Sequence, residues 1–349
     1  MKKLLALLMV LALALPFGAL AAETYEIALM TDVGNIDDKS FNQSAWEGVL
    51  DYATNNNVSY AYYRPSEDSN DARVESIKAA ISKGAKVVVL PGYLFADAAA
   101  VVQNEYPDVS FILVDTAPAG EVGKNTYSLL YQEEQSGYLA GYAIVKEGYT
   151  KLGFLGGMAV PAVVRFGYGF VQGADAAAKE LGVKPEIKYW YADAFTPNDD
   201  IKTKMNAWYT DGTEVVFSCG GGIYLSALAA AEESGHGKLI GVDNNQGAES
   251  ELIITSAMKR MAFTISKALA RIYENNVKLP EDMQGAVVTL GAVDDGIGLP
   301  TDEASWRFTK YTVDEYNALY AKLKDGSVVV SPDIEAHPAV EVTTVDYQN

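Results

Sequence analysis

From residue 26 onward, short runs of aliphatic and β-branched residues alternate with longer stretches whose apolar positions recur every three to four residues. Residues 26–31 (EIALMT) read as a strand. Ser40 then predicts a helix N-cap with Gln43 as its capping-box partner, ahead of Ala45, Trp46, Val49, Leu50 and Ala53 at helical spacing. The next helix places Val74, Ile77 and Ile81 on one face and stops at Gly84, where a residue without Cβ can turn left-handed. A strand at 86–90 (KVVVL) follows. The rhythm continues with strands at 109–114, 126–130, 152–155, 187–191, 214–218 and 238–242, and with helices at 135–145, about 162–181, 199–209 and 224–233. Repeated strand-helix units need crossover connections, and these give parallel sheets covered on both faces. The pattern therefore predicts an α/β, doubly wound architecture.

The chain has 349 residues, enough for about two domains of ordinary size. No long Pro/Ser linker separates them, which predicts lobes joined by short crossings with a cleft between. Residues 1–21 stand apart from this pattern. A positive start at Lys2 and Lys3, an apolar run over 4–15 and the small-residue stretch Ala19-Leu20-Ala21 read as a secretory signal peptide. The run is shorter than the roughly 18 residues a membrane span requires. The expectation is an exported protein, periplasmic or extracellular, that is soluble after cleavage.

Charge narrows the partners. With 27 Lys and Arg against 46 Asp and Glu, the net charge is −19, and no basic block interrupts it. Such a chain repels phosphate backbones and anionic lipid surfaces, so no nucleic-acid partner is expected and a small ligand is. The single cysteine, Cys219, excludes an internal disulfide and has no evident base, since His236 and His337 lie in polar stretches. No His/Cys metal spacing occurs, and Asp37 and Asp38 read as acids at a helix start. No catalytic group, metal or cofactor is therefore assigned.

In open parallel sheets, ligands bind beyond the carboxyl ends of the strands. Those positions here hold Asp32, Gly92 and Tyr93, Asp115, Gly156 and Gly157, Cys219 to Gly222, and Asp243. The CGGGIY run matches neither a dinucleotide fingerprint nor a phosphate loop, and tight turns explain it equally well. Aromatic residues are plentiful, with 22 Tyr, 11 Phe and 4 Trp, and Phe41, Tyr93, Tyr131, Phe166, Phe195 and Tyr224 neighbour strand ends. Their faces suit a planar ligand, although Phe41 also continues the apolar stripe of Ala45 and Val49 and could simply pack in the core.

TDVGNIDDKSFNQSAWEG at 31–48 closely resembles the opening motif of the basic membrane protein family, the purine-nucleoside receptor type of ABC-transporter substrate-binding proteins. LLYQEEQSGYLAG, GFLGGMAVPAVVRFGYGFVQGA, FSCGGGIY, IGVDNNQ and TSAMKR match it in order, covering nearly all of the chain after residue 21. The resemblance implies a type I periplasmic-binding-protein fold of two lobes with three crossings. Lobe 1 is then expected over 22–132 and about 252–295, and lobe 2 over 133–251 and about 296–349. It implies a nucleoside ligand and a membrane ABC permease as partner, with the protein monomeric. Carried onto this chain, Asp32 and Asn42 become base-edge partners, and Phe41 and Phe195 a stacking pair. Asp243 and Lys259 become ribose ligands, and Gly220 and Gly221 backbone contacts. Gly92 and Asp115 join them as strand-end candidates, although no motif aligns Asp115.

Three departures stand out. The family commonly carries a Cys directly after the signal, whereas Ala21-Ala22-Glu23 lies there, which argues against a lipid anchor. Asn35 replaces the usual second Gly of the first motif, and Asn245 replaces a usual Asp. Two other readings stay open at this point. One is a binder or sensor of another flat ligand such as a flavin; the other is a nucleoside hydrolase using Asp32 and Asp243.

Overall fold

The computed structural model describes residues 24–348, so the signal-peptide reading of 1–21 lies outside the described residues. Among the described residues, no helix is long and apolar enough to cross a membrane.

Two sheets organise the described residues. The first is ordered β11-β5-β4-β3-β1-β2 and entirely parallel. It comprises β1 (Ile27–Met30), β2 (Tyr60–Tyr63), β3 (Val87–Pro91), β4 (Ser110–Val114), β5 (Thr126–Tyr131) and β11 (Val287–Leu290). Strands β1, β3 and β4 are buried throughout, as strands covered on both faces must be, which is why IALM, VVVLP and SFILV are near-continuous apolar runs rather than alternating ones. One face carries α2 (Asn70–Ser82) and α3 (Ala96–Glu105), packed through Val74, Ile77, Ala98 and Val102 on Met30, Leu90 and Phe111. The other carries α1 (Phe41–Asn56) with α8 (Met261–Glu274), where Gly48 lets the two helices meet closely enough that a Cβ would lie 2.7 Å from the Ala262 carbonyl.

The second sheet is ordered β12-β10-β9-β8-β6-β7-β13. It comprises β6 (Lys151–Gly156), β7 (Glu186–Tyr191), β8 (Val215–Cys219), β9 (Lys238–Asp243), β10 (Ile253–Lys259), β12 (Ile297–Gly298) and β13 (Thr344–Tyr347), parallel except for β12 against β10. Leaving aside β13, the two orders correspond strand for strand. One face is covered by α6 (Asp199–Thr210) and α7 (Tyr224–Ser234). The other is covered by α4 (Glu133–Glu147) and α5 (Pro161–Leu181). These two helices interlock through glycines: a Cβ at Gly137 or Gly141 would come within 2.1 Å of the Phe166 or Phe170 carbonyl oxygen, and one at Gly169 or Gly173 within 2.0 Å of that of Glu134 or Tyr138. Helix α9 (Val313–Lys324) then opens on a Thr312/Glu315 capping box. Asp175 accepts the backbone N–H groups of Glu341, Val342 and Thr343, which seats the last strand at the sheet edge.

Among the described residues, the chain passes between the lobes three times: between Tyr131 and Glu133, between Lys259 and Met261, and between Leu290 and Ile297. The expected return to lobe 1 at about 252 comes too early, because β10 pairs with β9 in the second sheet and the crossing follows Lys259. Strands β2, β10, β12 and β13 and helices α3 and α9 have no counterpart in the sequence reading. Ser40 occupies the N-cap position of α1 as expected, but its side chain makes no capping hydrogen bond. The Asp38 side chain supplies the capping acceptor instead, taking the N–H groups of Ser40, Asn42 and Gln43, while Ser40 turns its hydroxyl elsewhere and Gln43 accepts from the Lys39 N–H.

Candidate functional site

All the parallel strands of both lobes point their carboxyl ends at the space between the sheets. A cavity lies there, with about 730 Å³ of empty space counting its open mouth. The structure brings together on its wall all ten residues singled out from sequence: Asp32, Phe41, Asn42, Gly92 and Asp115 from lobe 1, with Phe195, Gly220, Gly221, Asp243 and Lys259 from lobe 2. Asp38, Tyr93, Leu94, Val160, Ala162, Val163 and Phe166 add to it.

At one end sits Asp32, two residues beyond β1. Its Oδ1 accepts from Gly34 N–H at 2.7 Å and from Asn42 Nδ2 at 2.8 Å, leaving Oδ2 beside Gly92. Burial pushes its carboxyl up to about 6, against those two hydrogen bonds, which favour the charged form. Asn42 is braced on all sides: its Oδ1 accepts the Asp32 N–H at 3.2 Å, and its Nδ2 donates to both Asp32 and Asp38. Its amide thus orients two carboxylates as well as lining the cavity. Gly92 takes a φ of 112°, a backbone conformation that favours glycine, with the Phe41 ring and the Asp32 carboxylate beside it. Phe41 packs on the core and also lines the cavity.

The other end is ionic. Lys259, last residue of β10, is 3% exposed. Its ammonium pairs with Asp115 of lobe 1 and lies 3.5 Å from Asp243 Oδ1 and 3.7 Å from Glu133 Oε1. It also sits over the Phe41, Tyr131 and Phe166 rings at 4.8–5.7 Å. Burial alone would lower this ammonium, but Asp115, Asp243 and Glu133 more than offset it and hold it above the usual lysine range. Burial raises the Asp243 carboxyl, with Lys259 and Ser40 opposing. Asp115 keeps a buried Oδ1 without a hydrogen-bond partner, an acceptor available to a donor in the cavity. Both aspartates adopt left-handed backbone, φ 61° and 64°, each just where its strand ends.

Lobe 2 supplies the facing aromatic wall. Phe195 lies over Gly157, where a Cβ would come within 2.5 Å of its ring, and against Gly220 and Gly221 at φ 156° and 54°. These glycines are there to admit the ring and to hold the turn. Phe166, near the start of α5, completes the wall; the motif that carried the resemblance contains it, but an aromatic in a helix reads first as core. Cys219 is a buried wall residue whose thiol burial pushes well above its usual value. Among the described residues no cluster of His, Cys, Asp and Glu could hold a metal ion.

The two lobes touch around this cavity. Ser40 Oγ donates to Asp243 Oδ2 at 2.7 Å, Gln246 Nε2 to the Lys39 carbonyl at 3.1 Å, and Asn244 Nδ2 to Glu47 Oε2 at 3.2 Å. Sequence reasoning missed this set, because its partners stand about 200 residues apart.

Comparison with known proteins adds to the geometry. The profile of a family described as ABC transporter substrate-binding protein PnrA-like matches residues 26–330. The ABC transporter nucleoside-binding protein BmpA of Lactococcus lactis subsp. cremoris is 30% identical over 300 residues, covering 80% of this chain and 82% of its own. Basic membrane protein A of Borreliella burgdorferi is 26% identical over 324 residues, covering 92% and 91%. Among solved structures, an ABC transporter solute-binding protein from Aeropyrum pernix K1 superposes with a TM-score of 0.76 over 88% of this chain and 94% of that one, at 21% identity. The shared architecture is the type I periplasmic-binding-protein fold.

Proposed function

Given that this chain belongs to the PnrA-like family of ABC transporter substrate-binding proteins, we propose that it captures a nucleoside, specifically a purine nucleoside, in the interlobe cavity and delivers it to a membrane permease. The observation that carries this reading is the layout of the cavity: aromatic faces from both lobes in the middle, a braced carboxylate at one end and a lysine between carboxylates at the other. A purine has a flat body for the rings and N–H donors for Asp32 Oδ2. A ribose has a vicinal diol, whose two hydroxyls can donate to a carboxylate and accept from an ammonium. The protein works as a monomer that closes on its ligand, since the recognition groups are divided between the lobes. Export to the cell exterior, with delivery to the permease there, completes the proposal.

Calorimetry with inosine, 2′-deoxyinosine and riboflavin tests it. Inosine is expected to bind best. A charge-assisted hydrogen bond is worth about 1.5–3 kcal/mol, so the deoxy analogue loses about ten- to a hundredfold. Asp243→Ala removes much of that difference. Failure of inosine to bind, or tighter binding of riboflavin, refutes the nucleoside reading.

A further inference from the structure

Behind the cavity wall lies a carboxylate that the ligand reading does not use. Glu133 opens α4 at the first crossing between the lobes and is 0% exposed. Its Oε2 accepts from Arg165 Nε at 2.6 Å. Its Oε1, buried and without a hydrogen-bond partner, lies 3.7 Å from Lys259 Nζ. An acid in the first turn of a helix gains from the helix dipole. That gain is available to an exposed acid as well, and it explains neither the complete burial nor the placement between two cations. Buried charge is costly unless paired from the right directions, and here Arg165 lies on one side and Lys259 on the other.

The consequence falls on Lys259. Asp115 and Asp243 hold its ammonium from the cavity side, and Glu133 holds it from behind. Without the rear carboxylate, the ammonium would be drawn wholly into the two front ones, and all three groups would be satisfied by one another rather than by a ligand. We propose that Glu133 is a positioning residue that holds the Lys259 ammonium back between Asp115 and Asp243, and thereby sets how strongly the site prefers a vicinal diol to a single hydroxyl. Arg165 fixes Glu133 in that place. This rests on the nucleoside reading above.

The test is the ratio of dissociation constants for 2′-deoxyinosine and inosine, measured by calorimetry in the unsubstituted protein, in Glu133→Gln and in Arg165→Gln. Glutamine keeps the shape of Glu133 and removes its charge. The expected result is a ratio lowered about fivefold or more in Glu133→Gln, with most of the loss on the inosine side, and a smaller fall in Arg165→Gln. A role confined to folding or to the crossing would weaken both ligands alike and leave the ratio unchanged, and that result overturns the proposal. If Glu133→Gln cannot be obtained folded, an unchanged ratio in Arg165→Gln overturns it equally. Equal binding of the two ligands by the unsubstituted protein is a separate outcome: it removes the diol contact itself, and the proposal with it.

Discussion

Ser40→Ala isolates the closure of the cleft from the contacts made inside it. Ser40 does not line the cavity, is 0% exposed, and spends its hydroxyl on Asp243 Oδ2 at 2.7 Å, across the gap between lobes. A hydrogen bond to a charged acceptor contributes about 1.5–3 kcal/mol, and this one exists only when the lobes are together. In the open form, water replaces it on both partners. A ligand held by both lobes binds the closed form, so apparent affinity scales with the population of that form. The expected loss is about ten- to a hundredfold. It should strike inosine, its deoxy analogue and the free base by similar factors. Titration calorimetry reads the affinities, and small-angle scattering reads the closure as a smaller radius of gyration with ligand. Because the Asp38 side chain and not that of Ser40 supplies the capping acceptor of α1, the unliganded protein should keep its melting temperature, whereas loss of a true capping side chain would cost about 1 kcal/mol. An inosine affinity within about twofold of the unsubstituted protein would refute the latch.

Three further outcomes follow from the same contacts. Gly169→Ala forces a Cβ to within 2.0 Å of the Glu134 carbonyl, where only backbone can move, so the loss in urea denaturation should reach at least the top of the about 1–3 kcal/mol usual for overpacking; an unchanged midpoint would mean the helices do not meet this closely. Burial raises Asp32 to about 6, so its carboxyl is protonated more readily folded than unfolded and its effect on stability worsens as pH rises from about 4 to 6. A purine N–H needs the charged form, so inosine affinity should fall about tenfold between pH 7 and 5, and a flat pH profile would remove Asp32 from the base edge. Burial opposes ionisation of Asp175, but the N–H groups of Val342, Thr343 and Glu341 outweigh it and bring the carboxyl down to about 2. A depressed acid stabilises above its unfolded value of 3.8 and loses that as pH falls toward 2; Asp175→Asn should therefore cost on the order of 2 kcal/mol at neutral pH and flatten the acid limb of the stability curve.

Much of the site could be read in advance because parallel sheets put their strand ends in one place, and strand ends are local features. Asp32, Gly92, Asp115, Gly220 and Asp243 each follow an apolar run that is hard to mistake. What escaped was either weakly patterned or long-range. Strand β2 is four residues, YAYY, beside polar sequence, and α3 starts without a side-chain cap. The boundary near 252 failed because β10 carries the same apolar signature whichever sheet receives it. Ser40 has the local grammar of a cap, and nothing within ten residues shows that Asp38 has taken the role and freed it for Asp243. Glu133 reads as a first-turn acid until Arg165 and Lys259 are seen on either side of it.

The strand-for-strand correspondence of the two sheets has a consequence for how a ligand lies. Position by position, β3 and β8 each lead through a left-handed glycine, Gly92 or Gly220, into a single 3-10 turn, and β4 and β9 each end at a left-handed aspartate, Asp115 or Asp243. A cleft built from such twin halves would offer a guest two equivalent ways in. Two substitutions between the halves remove the equivalence. Where β1 leads to Asp32, β6 leads to Gly157; where β5 ends in Tyr131, β10 ends in Lys259. The near-twofold frame accounts for the shape of the cavity, and these two mismatches, an acid at one end and a cation at the other, give it a head and a tail.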